Sequence, residues 1–135
     1  MSANERDEIG KRFEWGIIGL DVKILDMEEI IIDDFAKIEI RAGLVEEAII
    51  VEKSDKLIRL RVRFGEDEVR TIFSGIRKWY SPEDLINKKF GFVYNLKPRQ
   101  MMGEESCGMI MAFDDEDRAI LWEVPEEVAM GALVR

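Results

Sequence analysis

Apolar residues recur at every second position in short runs along this chain, the period of half-buried strands, and the runs are separated by turn-forming residues. Ile38 and Ile40 alternate with Lys37, Glu39 and Arg41, and residues 44–51 continue apolar, which predicts one long strand bent at Gly43, in a domain that begins near Asp33. In residues 57–64 the alternation is unbroken, with Leu60, Val62 and Phe64 on one face and Arg59, Arg61 and Arg63 on the other. Gly65-Glu66-Asp67 predicts a hairpin turn, and residues 68–74 return with Val69, Thr71 and Phe73 opposed to Arg70 and Ile72. Ser81-Pro82-Glu83-Asp84 is a helix start: Ser as N-cap, Pro at the first helical position, and two acids at the positive end of the dipole. The spacing predicts a short helix ending near Lys89, followed by a strand carrying Phe90, Phe92 and Tyr94. A further run resumes at Gly108 with Met109, Met111 and Phe113, and another covers residues 119–124 before Pro125, with Gly131 as a turn in the tail.

Five strands with a short helix between the third and fourth describe an all-β fold, a five-stranded Greek-key barrel of the oligonucleotide/oligosaccharide-binding (OB) kind with flanking N- and C-terminal segments. Residues 33–135 would form that domain and its C-terminal extension, and residues 1–32 an N-terminal appendage. Within the appendage Ile9 and Phe13 are spaced as on a helix, and Ile18, Leu20, Val22 and Ile24 alternate as on a strand. In such barrels the face of strands two and three and the loop between strands four and five bind the ligand. Here these are the Arg59, Arg61 and Arg63 face and residues 95–106.

That loop changes the picture most. Asn95, Lys97, Arg99 and Ser106 place hydrogen-bond donors between two apolar strands, and Pro98 restrains Lys97 toward an extended backbone. Such a loop invites a polyanion more than a core. The three arginines serve the same ligand or form the solvated face of an edge strand, and Asn95 either reaches a ligand or caps the end of its strand. Met101, Met102, Met109 and Met111 read either as a recognition surface or as core filler.

Charge sharpens this reading. The 135 residues carry a net charge of -9, yet residues 53–103 hold 12 basic and 6 acidic side chains, against 8 and 23 elsewhere. Phosphate responds to the local field, and an acidic remainder suppresses indiscriminate binding. The single cysteine, Cys107, rules out an internal disulfide, and the absence of histidine argues against a zinc site and removes the commonest general base. The run Asp114-Asp115-Glu116-Asp117 lacks the alternating ligands of an EF-hand and reads as a solvated turn, so no metal or cofactor is expected. No paired-carboxylate or phosphate-loop pattern supports an enzyme. No apolar run reaches the roughly 18 residues of a membrane span, and the acidic, polar N-terminus is unlike a secretory signal, which points to the cytoplasm.

The ordered series Asp34-Phe35-Ala36-Lys37-Ile38-Glu39-Ile40-Arg41-Ala42-Gly43, Ser54-Asp55-Lys56-Leu57, Ser74-Gly75-Ile76, Tyr80-Ser81-Pro82-Glu83-Asp84-Leu85, Asn95-Leu96-Lys97-Pro98-Arg99 and Gly103-Glu104-Glu105-Ser106-Cys107-Gly108-Met109-Ile110 resembles the tRNA-binding domain family. This domain occurs in methionyl-tRNA synthetases, as a free-standing beta subunit, in cytokine precursors and in the CsaA chaperone. The resemblance covers roughly residues 31–135. It implies a non-catalytic OB barrel that grips tRNA by shape, assists an aminoacyl-tRNA synthetase of the methionyl type, and forms a homodimer through segments flanking the barrel. It implies binding roles for Arg41, Lys56, Asn95, Lys97, Arg99, Ser106 and Met109, joined by Arg59 and Arg61 from the strand pattern. Lys56, Lys97 and Arg99 suit phosphates, Asn95 and Ser106 sugar or base edges, and Met109 an apolar platform. The CsaA branch implies the alternative of a dimeric, peptide-binding export chaperone. Departures from the family pattern are Glu52-Lys53-Ser54 before Lys56, the acidic total and the long appendage.

Overall fold

The structure, a computed structural model, describes residues 28–135. Most of the predicted appendage, including the alternating residues from Ile18 to Ile24, lies outside that range. The chain divides into two compact units between Phe35 and Ala36. In the first, the described residues form one helical turn, α1 (Ile32–Phe35), where the backbone N–H groups of Asp34 and Phe35 donate to the Ile31 carbonyl at 3.0 and 3.4 Å. The first long strand, expected from the alternation around Ile38, begins at Ile40.

The second unit is built from strands: β1 (Ile40–Ile50), β2 (Ile58–Gly65), β3 (Glu68–Ser74), β4 (Lys89–Val93), β5 (Arg99–Met101), β6 (Glu104–Ser106), β7 (Met109–Ile110), β8 (Ala112–Asp115) and β9 (Arg118–Leu121). Five form one antiparallel sheet in the order β3-β2-β1-β4-β7, and β5–β6 and β8–β9 are separate two-stranded ribbons. The sheet curls because β1 is shared along its length. Its first half pairs with β4 from Ile40↔Val93 to Leu44↔Lys89, and its second half with β2 from Leu44↔Arg63 to Ile50↔Ile58. A bulge between Val45 and Glu47 breaks the β1–β2 register, so the irregularity lies beyond Gly43, where the bend was expected. Gly43 serves a different purpose, because a Cβ there would meet Val62, Phe64 and Phe92 at 2.6 to 2.9 Å. The outer strands β3 and β7 pack against each other, and just before β7 the Cys107 N–H donates to the Thr71 carbonyl of β3 at 2.9 Å.

Inside the curl the predicted face of β2, now including Ile58 with Leu60, Val62 and Phe64, is buried with Val45, Ile72, Leu85, Phe90, Phe92, Ile110 and Leu121. Each such side chain removed from water contributes roughly 1.5–3 kcal/mol. Phe64 packs edge-on against Phe92 and Tyr94, with ring centroids 5.5 and 5.1 Å apart. Tyr80 packs against this core, and its hydroxyl accepts from the Leu121 N–H at 3.1 Å.

Where a helix reaching Lys89 was predicted, there is a 3₁₀ turn, Pro82–Asp84. The start signals operate as expected, with the Asp84 carboxylate accepting from the Ser81 N–H and hydroxyl at 2.9 and 3.1 Å. The helix does not propagate because Asn87 turns to a φ of 68° and spends its N–H on the Val45 carbonyl at 2.8 Å, while Lys88 accepts from the Val45 N–H. Pairing with β1 replaces helical hydrogen bonding. The acidic run is exposed, with Asp114 and Asp115 ending β8 and Glu116 and Asp117, at φ 51° and 67°, making the turn to β9. Gly131, at φ 87°, turns the tail as expected, so that it pairs with β1 through Gly131 N–H to Ala42, Ala42 N–H to Ala132, and Val134 N–H to Ile40. Among the described residues no helix is long and apolar enough to cross a membrane.

Candidate nucleic-acid interface

The polar loop of residues 95–106 is a hairpin. Arg99 stands opposite Ser106, Gln100 opposite Glu105 and Met101 opposite Glu104, with Met102 and Gly103 at positive φ making the turn. Two contacts dock it on the sheet. The Ser106 hydroxyl, 5% exposed, accepts from the Phe73 N–H of β3 at 3.0 Å, and the Glu104 carboxylate takes Arg59 of β2 in a two-pronged ion pair at 2.6 and 2.9 Å. Phe73 shares a face of β3 with Val69 and Thr71, as the alternation predicts; that face is the outward one, by its register with Arg59, and Phe73 is buried because β6 packs over β3 there.

The expected positive face is therefore largely occupied. Arg59 holds Glu104, Arg61 donates to the Thr71 hydroxyl at 2.8 Å, and Arg63 is shared between Glu46 and the carbonyls of Gly65 and Glu66. The Arg59 guanidinium beside Glu104 holds that carboxyl below its ordinary value, so it remains ionised near neutral pH. By contrast Lys56, Lys97 and Arg99 are exposed, and among the described residues their side chains have no hydrogen-bond or ion-pair partner. Lys56 lies just beyond the Ile58↔Ser74 end of β2–β3, and Arg99 opens the hairpin that Ser106 and Glu104 fasten beside Phe73 and Arg59. Lys56, Arg59, Arg61, Arg99 and Ser106 thus gather around one end of β2–β3.

Lys97 lies on the exposed segment two residues before Arg99, whereas Asn95, Arg41 and Met109 sit apart from that end. Asn95 acts as a clamp: its Nδ2 donates to the Lys37 carbonyl at 2.7 Å and its Oδ1 accepts from the Glu39 N–H at 2.9 Å. Arg41 donates to Glu39 at 2.9 and 3.0 Å and to the Gly131 carbonyl at 3.0 Å, with its guanidinium 4.8 Å from the centre of the Tyr94 ring. Met109, 44% exposed, stands opposite Val93 on the edge of the sheet. Ser106 directs its hydroxyl inward onto β3, where it positions the hairpin.

One cluster carries no prediction from the sequence. Arg70 occupies the inward phase of β3, opposite Val62, and its guanidinium lies 3.7 Å from the centre of the Tyr94 ring. It donates to the Tyr94 carbonyl at 2.7 Å and to Glu68, whose two oxygens accept from the Tyr94 hydroxyl at 2.6 and 2.8 Å. That hydroxyl, ahead of the Arg70 guanidinium, holds the Glu68 carboxyl below its ordinary value, and the same bond raises the Tyr94 phenol. The cluster fixes the point where the loop leaves β4. An arginine two residues before the buried Ile72 is the signal that would have found it, because a cation on the inward phase must bring its partners with it.

Comparison with known proteins places these features in a family. Residues 40–133 match the model described as "Putative tRNA binding domain", and the chain belongs to this family. Over 108 residues it is 44% identical to the methionine–tRNA ligase of Caldanaerobacter subterraneus subsp. tengcongensis, a match covering 80% of this chain and 17% of that enzyme. The chain thus spans less than a fifth of that relative's length. Its structure resembles that of a MetRS related protein from Pyrococcus horikoshii, with TM-score 0.77, 45% identity, and 81% and 100% of the two chains covered. The chaperone CsaA from Bacillus anthracis aligns with TM-score 0.70 and 26% identity over 80% of this chain and 100% of its own.

Proposed function

We propose that this chain is a non-catalytic tRNA-binding protein on an OB barrel, spanning residues 33–135, that recognises folded tRNA by shape and phosphate contacts. Lys97 and Arg99 are the principal phosphate ligands, with Lys56 beside them, and Arg59 and Arg61 extend the surface. The observation that carries this reading is the contrast within one region: the loop is fastened by Ser106 and Glu104 while its own cations are exposed and, among the described residues, unpaired. A rigid scaffold presenting free cations loses little conformational freedom on binding. The strand order β3-β2-β1-β4-β7, with contact between the outer strands, supports the barrel assignment. Likeness to methionine–tRNA ligases supports a role beside a methionyl-type synthetase; the protein would act in the cytoplasm as a homodimer formed through segments flanking the barrel. Fluorescence anisotropy of labelled tRNA tests this: binding at about 50 mM salt that weakens steeply toward about 200 mM is expected. Absence of binding by folded protein at the lower salt defeats it. Light scattering on the same sample tests the homodimer.

One observation favours a second reading, a CsaA-like peptide-binding chaperone. Met111, Ala112, Phe113 and Trp122 line an open apolar hollow of about 220 Å³, and Phe113 is 58% exposed. Suppression of aggregation of a model substrate, competed by peptide and indifferent to tRNA, would favour that activity over the first.

A further inference from the structure

We propose that Arg59 and Glu104 form a guarded phosphate subsite, in which Glu104 holds the arginine fork in the free protein and a phosphate of bound RNA takes its place. This rests on the tRNA-binding reading above and names a residue that sets its affinity and selectivity. The carboxylate of Glu104 meets Nε and Nη2 of Arg59 at 2.6 and 2.9 Å, the same side-on, two-bond geometry with which a guanidinium receives a phosphate. Glu104 therefore occupies the position that a phosphate would need.

The three arginines of β2 differ in how replaceable their partners are. Arg63 is held by two backbone carbonyls besides Glu46, and Arg61 by the hydroxyl of its cross-strand neighbour Thr71. Among the described residues Arg59 is hydrogen-bonded by one side chain, Glu104, carried on the same hairpin as Arg99, while Glu47 acts on it only as a nearby charge. Both members of the pair are open to solvent, with side chains 26% and 43% exposed, so a ligand can reach the fork without opening the core. Partly exposed ion pairs of this kind are weak enough to exchange.

The consequence is selectivity by competition. A free anion arriving from bulk solution meets a fork already filled by a tethered carboxylate at high effective concentration. An RNA already anchored on Lys97 and Arg99 presents its next phosphate under the same advantage and displaces Glu104. The hairpin stays docked during the exchange because Ser106 remains bonded to Phe73.

The test uses the full chain and labelled tRNA at about 50 mM salt. Glu104→Gln, which keeps a hydrogen-bond acceptor for Arg59 and removes the charge, is expected to bind roughly two- to fivefold more tightly than wild type, with the gain shrinking at about 200 mM salt. The gain should disappear in the double variant Arg59→Ala/Glu104→Gln. Glu105→Gln makes the same change of charge one residue away, on the opposite face of the strand, and should gain less. Glu104→Ala provides a second variant should Glu104→Gln fold poorly, which thermal melting monitors. If wild type binds tRNA and neither Glu104 variant binds more tightly, or Glu105→Gln gains as much, the guarded subsite is refuted and tRNA binding stands. If wild type does not bind tRNA, the functional reading fails and the subsite falls with it.

Discussion

The guanidinium of Arg70 lies 3.7 Å from the centre of the Tyr94 ring while donating to the carbonyl of the same residue at 2.7 Å, so one side chain grips both the ring and the backbone of the residue from which the loop departs. A cation over an aromatic face and a charge-assisted hydrogen bond reinforce each other in this half-buried setting. Arg70→Ala would leave the carbonyl and the Glu68 carboxylate short of a partner. It is expected to lower stability by about 2 kcal/mol, read from urea unfolding, with Arg70→Lys losing less. A loss indistinguishable from zero would show that the loop's departure point is set elsewhere.

The same cluster makes stability depend on pH in two directions. The folded-state pKa of Glu68 lies below the ordinary 4.5, so its contribution is present above that value and is lost as pH falls through the depressed pKa. Tyr94 is shifted upward from 10.0, so its contribution is present below that value and is lost as pH rises through the raised pKa. Tyr94→Phe removes the shared hydrogen bond. It should flatten the acid limb below about pH 4.5 and abolish the phenol's part of the alkaline decline, as measured by urea midpoints across the range.

Ser106→Ala should cost about 1–3 kcal/mol, because the buried Phe73 N–H loses its acceptor. The cost should be accompanied by faster hydrogen exchange at the Phe73 amide and by weaker tRNA binding through a loosened hairpin. Unchanged exchange at Phe73 would mean that another group takes over the amide.

Gly43→Ala forces a methyl group within 2.9 Å of Val62, Phe64 and Phe92. All three belong to the packed centre of the sheet, so the substitution is expected to destabilise by about 1–3 kcal/mol, seen as a lower thermal midpoint. A neutral outcome would require the β1–β4 crossing to spread without penalty.

What the sequence could reveal followed from whether the cause was local. The alternation of β2 was legible because one face meets the core and the other meets water, and the 3₁₀ turn was legible at its start because Ser81 and Asp84 bond to each other. The end of that turn was not, since the competing partner of Asn87 is Val45, more than forty residues earlier. The burial of Phe73 and Ser106 was not legible for the same reason. The hairpin that folds back over β3 buries both, and neither residue's neighbours in sequence announce it. Lys97 and Arg99 are exposed as the residues around Pro98 suggested, Arg99 at the start of β5, and among the described residues no side chain pairs with them.

The most direct measurement is tRNA binding by the double variant Lys97→Ala/Arg99→Ala across a salt series. Both side chains are exposed and unpaired among the described residues, so the variant should unfold at the same urea concentration as wild type. Its affinity at about 50 mM salt should fall by roughly tenfold or more, with a salt dependence shallower by about one to two phosphate contacts. Wild-type affinity with an unchanged salt slope in the folded variant would contradict the assignment of this loop as the phosphate-binding element.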